Sequence, residues 1–214
     1  MSILRDKDRE AVRQRLNEMT GKAKLVFFMQ EIECQYCRET GELLQEVAEL
    51  SDKLELEVFN FVVDKEVTEK YNIAQIPAIV ILGEDGVDYG IRYYGIPSGY
   101  EFASLLEDIL MVSANDSGLE EETRQALAGL ESPVHMQVFV TPTCPYCPGA
   151  VRLAHQMAFE SDKVRADMVE ASEFPHLAMK YNVQGVPRTV INETHAVEGM
   201  MPESMILQEV LKAV

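Results

Sequence analysis

The chain has 214 residues, 47% of them hydrophobic and 26% charged, which is typical of a folded globular protein with room for one large domain or two compact ones. Its formal net charge of -17 at pH 7 argues against nucleic acid or an anionic membrane as a partner, because both require a basic surface. The N-terminus is charged, and no apolar run approaches the roughly 18 residues of a membrane span, so we expect a cytoplasmic protein with no membrane partner.

The first half of the chain alternates between helical and extended apolar patterns. Apolar residues three and four positions apart predict helices, and continuous apolar runs predict strands. The elements expected in chain order are a helix with Val12, Leu16 and Met19 on one face, a strand at 25–29, a helix from the first cysteine pair to Leu50, a strand at 54–63, a short helix at 67–71, strands at 78–82 and 87–94, and a helix around 102–109.

The second half repeats this order. Its expected elements are a helix at 119–130, a strand at 134–140, a helix with Pro145 at its first position, a strand at 163–169, a helix at 173–181, strands at 188–192 and 194–198, and a helix at 203–213. Parallel β-α-β strands extended by an antiparallel hairpin predict a mixed sheet with helices on both faces, which is an α/β fold.

The four cysteines form two close pairs that are related by an internal repeat. The first pair, Cys34-Gln-Tyr-Cys37, recurs 110 residues later as Cys144-Pro-Tyr-Cys147. At the same offset, residues 70–81 align without gaps on residues 180–191, with six identities in twelve positions. A match at one fixed offset indicates a duplicated structural unit.

Each unit also contains a proline 43 residues after its first cysteine, Pro77 in the first and Pro187 in the second. Small and turn-forming residues at 113–118 interrupt the apolar pattern and predict a short linker. We therefore expect two domains, at 1–117 and 118–214, each with its own Cys-x-x-Cys site.

A Cys-x-x-Cys pair at the start of a helix is suited to redox chemistry. Both sulfurs lie on one side of the first turn, close enough to form a disulfide. The free N–H groups and the positive end of the helix dipole favour the thiolate of the first cysteine. We therefore expect Cys34 and Cys144 to attack substrate disulfides, and Cys37 and Cys147 to resolve the mixed disulfides and release the product.

The residues around the two pairs differ in charge. Glu31 and Glu33 precede the first pair, and their negative charge disfavours a thiolate at Cys34, although Arg38 acts in the opposite direction. An uncharged proline and threonine precede the second pair. Our hypothesis is that Cys144–Cys147 is the more oxidising couple.

The two motifs, each followed by Ile76-Pro77 or Val186-Pro187, resemble the protein disulfide oxidoreductases of thermophilic archaea and bacteria over essentially the whole chain. Cys-Pro-Tyr-Cys alone also occurs in glutaredoxins, but the duplication and spacing make the resemblance specific. It implies two tandem thioredoxin-like domains, each a mixed sheet flanked by helices. It also implies that both prolines are cis and lie beside their cysteines.

The same resemblance implies the function and the binding residues. The backbone of Ile76 and Val186 is expected to pair with an extended substrate segment. The expected substrate-binding residues also include the two prolines and the tyrosines within the motifs: Pro77, Pro187, Tyr36 and Tyr146. The family reduces, forms or isomerises disulfides in protein substrates, in the cytoplasm, and receives electrons from a flavoprotein of the thioredoxin reductase type. No cofactor is expected beyond the two redox-active disulfides.

Three other interpretations compete with this one. Cys-x-x-Cys pairs also bind zinc, but 106 residues separate these pairs, against about 15 to 20 in ribbon-type zinc sites. A noncatalytic binding module usually loses a cysteine, and this chain retains all four. The tandem fold also resembles the N-terminal part of alkyl hydroperoxide reductase flavoproteins, which keep one cysteine pair and continue into a flavin domain; two intact pairs and no flavin domain in this sequence disfavour that interpretation.

Two sets of ring side chains are expected to be structural. Tyr71 and Tyr181, in matching Lys-Tyr-Asn runs, are predicted to pack the short helix of each unit against the sheet, with the substrate groove as the alternative. The histidines share no spacing and are predicted to be surface or packing residues: His135, His155, His176 and His195.

Overall fold

The computed structural model describes residues 3–214 and contains two successive sets of elements that follow the sequence repeat. The N-terminal unit consists of α1 (Asp6–Leu16), β1 (Ala23–Met29), α2 (Cys37–Ala48), β2 (Leu54–Asn60), α3 (Lys65–Lys70), β3 (Ala78–Leu82), β4 (Asp88–Tyr94) and α4 (Glu101–Ala114). The C-terminal unit consists of α5 (Glu121–Ala128), β5 (Val134–Val140), α6 (Cys147–Glu160), β6 (Val164–Glu170), α7 (Pro175–Lys180), β7 (Arg188–Ile191), β8 (His195–Glu198) and α8 (Glu203–Lys212).

The strands within residues 3–214 form one eight-stranded sheet with the order β2-β1-β3-β4-β6-β5-β7-β8. In each unit the first two strands are parallel and the hairpin strands are antiparallel. The units join where β4 pairs in parallel with β6, with Tyr93 opposite Met168. The expected fold of two tandem thioredoxin-like units around a mixed sheet is confirmed, and β2 and β8 remain as edge strands.

Side chains of the central strands alternate between two hydrophobic layers because successive residues of a strand point to opposite faces. On β1, Leu25 and Phe27 join the core beneath the long helices, whereas Val26 and Phe28 join the core beneath the short helices. Helix α4 packs against α1 of its own unit and against α6 of the other unit. It thereby connects the two halves on one face of the sheet.

The prediction for the paired tyrosines is confirmed. Tyr71 is buried against Phe28, with ring centroids 6.1 Å apart, and Tyr181 is buried against Phe139 at 5.7 Å. Each tyrosine follows the short helix of its unit and packs it onto the sheet.

Several predicted boundaries are wrong, for local reasons. Helix α6 begins at Cys147, so Pro145 lies in the preceding turn and Pro148 occupies the first helical turn. The strand predicted at 54–63 ends at Asn60, because the Asn60 side chain accepts the N–H groups of the two valines that follow and turns the chain. Helix α4 continues through the first residues of the predicted linker and ends before Asn115, which has a left-handed backbone.

Three further helices differ in their bounds from the predictions. The helix predicted at 119–130 is α5 at Glu121–Ala128, and the short helices begin about two residues from their expected positions. Within residues 3–214, no helix is long and apolar enough to cross a membrane.

Candidate active site

The N-terminal site is the disulfide between Cys34 and Cys37. The Cα atoms are 5.5 Å apart, and Cys37 is the first residue of α2. Cys34 is partly exposed in the turn that connects β1 to α2, whereas Cys37 is buried. This is the arrangement expected for an attacking cysteine reached from outside and a resolving cysteine behind it.

The C-terminal site is the disulfide between Cys144 and Cys147, also with 5.5 Å between Cα atoms. Cys147 is fully buried at the start of α6, and its backbone N–H donates to Cys144 Sγ at 3.1 Å. Such a donor stabilises negative charge on the first sulfur when the disulfide opens. Cys144 is only 7% exposed and is therefore less accessible than Cys34.

Both prolines follow cis peptide bonds, Ile76-Pro77 and Val186-Pro187. Each begins a hairpin beside the strand that leads to the cysteine pair, since β3 and β7 are antiparallel to β1 and β5. The prolines are buried, and Ile76 and Val186 are partly exposed. The motif tyrosines differ, because Tyr146 is 67% exposed whereas its counterpart in the N-terminal site is half-buried.

A buried polar cluster lies between the two units and was not predicted from the sequence. His155 Nδ1 is 2.5 Å from Asp108 Oδ2, and the Tyr93 hydroxyl donates to the same oxygen. Ser104 Oγ donates to Glu101 Oε2 at 2.7 Å. Among the described residues, Glu101 Oε1 and His155 Nε2 are buried with no hydrogen-bond partner. His155 is buried, as expected of a packing residue, but its polar contacts were not predicted.

Helix α4, which carries the acidic residues of the cluster, packs against α6, the helix that begins at Cys147. At the beginning of the pair, the Tyr100 N–H donates to the Pro142 carbonyl oxygen at 3.1 Å. Further along, Asp108 meets His155. Glu101 is the first residue of α4, and Cys147 is the first residue of α6.

Burial determines the protonation of Glu101. Removal from water raises its pKa from 4.5 to about 7, against the opposing effect of the Ser104 hydrogen bond. A carboxyl group with such a pKa can gain or lose a proton near neutral pH. The signal in the sequence was the placement of Glu101, Ser104 and Asp108 at i, i+3 and i+7, which puts polar groups on one face of an otherwise apolar helix.

The charged residues near the N-terminal site lie on the surface. Glu31 and Glu33 are exposed, and Arg38 Nε donates to Glu42 at 2.9 Å. The positive charge of Arg38 is therefore shared with a carboxylate of its own helix. The difference in redox potential between the two couples stays a prediction.

No metal centre is formed by the part of the chain that the structure describes, where no three His, Cys, Asp or Glu side chains are grouped as metal ligands. All four cysteine sulfurs are paired in the two disulfides. Both sites share a disulfide at a helix start and a proline after a cis bond, and the strand that follows the proline pairs with the strand that precedes the disulfide.

Two family models match the chain, a thioredoxin-like domain at 13–110 and a thioredoxin domain at 134–212. Among solved structures, a protein disulfide oxidoreductase from Aeropyrum pernix K1 is 32% identical, with a TM-score of 0.91 over 96% of this chain and 91% of that chain. The N-terminal domain of an alkyl hydroperoxide reductase from Enterococcus faecalis V583 is 26% identical, with a TM-score of 0.89 over 97% and 99% of the two chains.

Curated relatives include an alkyl hydroperoxide reductase component from Staphylococcus epidermidis, which is 29% identical over 169 residues. That match covers 79% of this chain and 30% of the relative, so the chain spans about a third of the length of such relatives. The match to the Aeropyrum pernix protein extends over nearly all of both chains and includes both units. The chain therefore belongs to the protein disulfide oxidoreductase family.

Proposed function

We propose that the protein exchanges disulfides with protein substrates at both Cys-x-x-Cys sites, each of which completes its own cycle. The observation that carries this proposal is the presence of two intact disulfides, each at the start of a helix. Because neither unit has lost a cysteine, each unit has both an attacking and a resolving thiol. The exchange is reversible, so the same sites can reduce, form or isomerise substrate disulfides.

In the reducing direction, the Cys34 or Cys144 thiolate attacks one sulfur of a substrate disulfide. A mixed disulfide forms, and the other substrate sulfur leaves as a thiolate that takes up a proton. Cys37 or Cys147 then attacks its neighbour's sulfur, which closes the protein disulfide and releases the second substrate thiolate. Two electrons and two protons pass to the substrate in one cycle.

Substrate binding is proposed at the partly exposed backbone of Ile76 and Val186. A short extended segment can pair there with main-chain groups without constraint on its side chains. Tyr36 and Tyr146 are proposed to line the same approach to their cysteines. This mode of binding suits an enzyme that acts on many sequences.

Glu101 is proposed to take the proton that Cys147 releases when it resolves the mixed disulfide. Cys147 is buried away from bulk water, so its proton needs an acceptor inside the protein. Glu101 is the buried first residue of α4, which packs against the helix that begins at Cys147. It has a carboxylate oxygen without a partner and a pKa of about 7. Through this residue the N-terminal unit would contribute to chemistry at the C-terminal site.

The electron donor is proposed to be a flavoprotein reductase of the thioredoxin reductase type, acting in the cytoplasm. Support for a reductase partner comes from the similarity to components of alkyl hydroperoxide reductase. The acidic composition is consistent with a cytoplasmic location.

Reduction of insulin by dithiothreitol, followed by turbidity, tests the proposal. The protein, the Cys34→Ser/Cys37→Ser variant and the Cys144→Ser/Cys147→Ser variant would be compared with a variant that lacks all four thiols. We expect each two-cysteine variant to retain part of the activity. Activity of the four-serine variant equal to that of the protein would refute the function, and complete loss in one two-cysteine variant would refute independent cycles.

A further inference from the structure

At the C-terminal site, one side of the cysteine pair is covered by the N-terminal unit. Strand β4 pairs along β6, where Tyr93 lies opposite Met168 and both side chains are buried. Seven residues further along the chain, the Tyr100 N–H donates to the Pro142 carbonyl oxygen, two residues before Cys144. This side of the site is thus closed by an extended segment and the turn that follows it.

The repeat identifies the corresponding surface at the N-terminal site. On β2, Val58 pairs with Phe27 of β1, and on β6, Met168 pairs with Val138 of β5. Val58 is therefore the counterpart of Met168. Ile32, two residues before Cys34, is the counterpart of Pro142. Val58 is 53% exposed and Ile32 is 75% exposed. No strand of residues 3–214 takes the position beside β2 that β4 fills beside β6, so β2 is an edge strand.

A cavity of about 480 Å³ opens on this side of the N-terminal site. Its lining includes both cysteines and the apolar side chains of Phe27, Met29 and Val58. We call this cavity, together with Ile32 and the free edge of β2, the β2 flank. The flank lies across the cysteines from Pro77, because β2 and β3 pair with opposite sides of β1.

We propose that the β2 flank binds an extended apolar segment of a protein substrate, running parallel to β2 in the position that β4 takes beside β6. The inference rests on the proposed function, since the segment belongs to the polypeptide whose disulfide reacts with Cys34. It adds a second binding surface on the side of the disulfide away from the cis-proline.

Two features favour an added strand as the occupant. An exposed edge strand presents unpaired N–H and C=O groups that a further strand can satisfy, and apolar side chains on it favour an apolar partner. The C-terminal unit demonstrates this pairing in the same chain, with four residues of β4 in register with β6. The occupant therefore has a known direction, with its C-terminal end toward the cysteines.

Charge argues for a substrate segment over a second copy of this chain. Glu31 lines the cavity and Glu33 is exposed beside it, and Arg38, which also lines the cavity, is paired with Glu42. Exposed Glu55 and Glu57 lie on the other face of β2 from Val58, where both contact Lys24. A chain with a net charge of -17 repels another copy, whereas a neutral or basic apolar segment is attracted.

The arrangement predicts that the two sites differ in substrate preference. In the C-terminal site this side is occupied, so a substrate gains nothing from an apolar segment there. In the N-terminal site, an apolar strand located about seven residues before the substrate cysteine would reach the flank, by analogy with the separation of Tyr93 from Tyr100. Site 34–37 would thus prefer unfolded apolar polypeptides.

Single-turnover reduction of synthetic peptide disulfides tests the proposal. The reduced Cys144→Ser/Cys147→Ser variant would be mixed with two disulfide-linked peptides of equal composition. One carries a basic, apolar strand of about five residues seven positions before its cysteine, and the other carries the same strand after it. We expect a half-saturation concentration at least about fivefold lower for the first peptide. The Cys34→Ser/Cys37→Ser variant should not distinguish them.

Substitution of Val58 locates the effect. Val58→Asp in the same background should remove the preference between the two peptides. The new carboxylate also disfavours the Cys34 thiolate, so the result is read as the ratio of the two half-saturation concentrations within one variant, in which a general change of reactivity cancels. Val87→Asp, at an exposed valine in the β3–β4 turn, is the control for a new surface charge. Val58→Thr keeps the branched shape and should give an intermediate preference between the two peptides. This variant provides the test if the aspartate variant does not fold.

Equal half-saturation concentrations for the two peptides, or a preference that survives Val58→Asp, would overturn the proposal. A dimer in light scattering that Val58→Asp converts to a monomer would assign the flank to a second copy and overturn it too. Failure of the Cys144→Ser/Cys147→Ser variant to reduce cystamine, a small disulfide, would instead contradict the proposed function of the N-terminal site, which is a separate outcome.

Discussion

Gly99 lies directly against Pro142, at the junction between the two units. A Cβ atom built on Gly99 would stand 2.1 Å from the Pro142 carbonyl oxygen, and Gly99 has φ of +61°. Both the close approach and the left-handed backbone require glycine here. This contact fixes the start of α4 beside the chain that leads to Cys144.

Gly99→Ala should therefore destabilise the protein by more than backbone strain alone. The left-handed backbone costs an alanine about 1 kcal/mol, and displacement of the Pro142 backbone adds to it, so we expect about 2 to 4 kcal/mol in urea unfolding. Gly86→Ala is the matched control, because Gly86 has φ of +78° and no atom within 4 Å of its Cβ position. An equal decrease in the free energy of unfolding for the two variants would mean that the junction adjusts to the added methyl group.

Glu101→Gln should slow the resolving step at the C-terminal site. Glutamine keeps the shape of the side chain but cannot accept the proton of Cys147, and lost general-base catalysis costs about 10-fold or more. Release of the second substrate thiol in a single turnover at pH 7 measures this step. The same substitution in the Cys144→Ser/Cys147→Ser variant should leave the N-terminal site unaffected. An unchanged resolving rate would remove Glu101 from the mechanism.

The raised pKa of Glu101 also predicts how stability depends on pH. Between pH 4.5 and about 7 the folded protein holds a proton that the unfolded chain has released, so stability falls as pH rises through this window. The shift corresponds to about 3 kcal/mol. The unfolding free energies of the protein and of Glu101→Gln should be measured between pH 4 and 8. The free energy of the protein should fall relative to that of the variant as the pH rises. Parallel curves would contradict the assigned pKa.

Glu31→Gln/Glu33→Gln should make the N-terminal couple more oxidising. Removal of two exposed negative charges favours the Cys34 thiolate, and at about 0.3 to 0.5 kcal/mol each the potential should rise by about 10 to 20 mV. Glutathione titration of the Cys144→Ser/Cys147→Ser variant, with and without these changes, provides the measurement. A lowered potential would show that charge near Cys34 acts opposite to our hypothesis.

The repeat made much of the fold predictable from the sequence. Cysteine and proline recur at one offset, and the helical and extended patterns between them have the right order. Boundaries were less predictable, because side-chain hydrogen bonds such as those of Asn60 decide where a strand ends. The start of α6 at Cys147, two residues after Pro145, is a similar local effect of the turn before it.

The contribution of one unit to the site of the other could not be predicted. It depends on the parallel pairing of β4 with β6, and neither strand's sequence specifies that partner. Asp108 and His155 meet only after this pairing brings α4 beside α6. The polar residues on α4 were visible in the sequence, but their partner in the other half was not.

The most direct test of the account is a redox titration that counts thiols. The protein would be equilibrated in dithiothreitol buffers of graded potential and alkylated. Its intact mass would then be measured by mass spectrometry, and zinc would be measured on the same sample. We expect two reversible steps of two thiols each, one lost in Cys34→Ser and the other in Cys144→Ser. Four thiols that never form disulfides and carry stoichiometric zinc would contradict the assignment of two working redox sites.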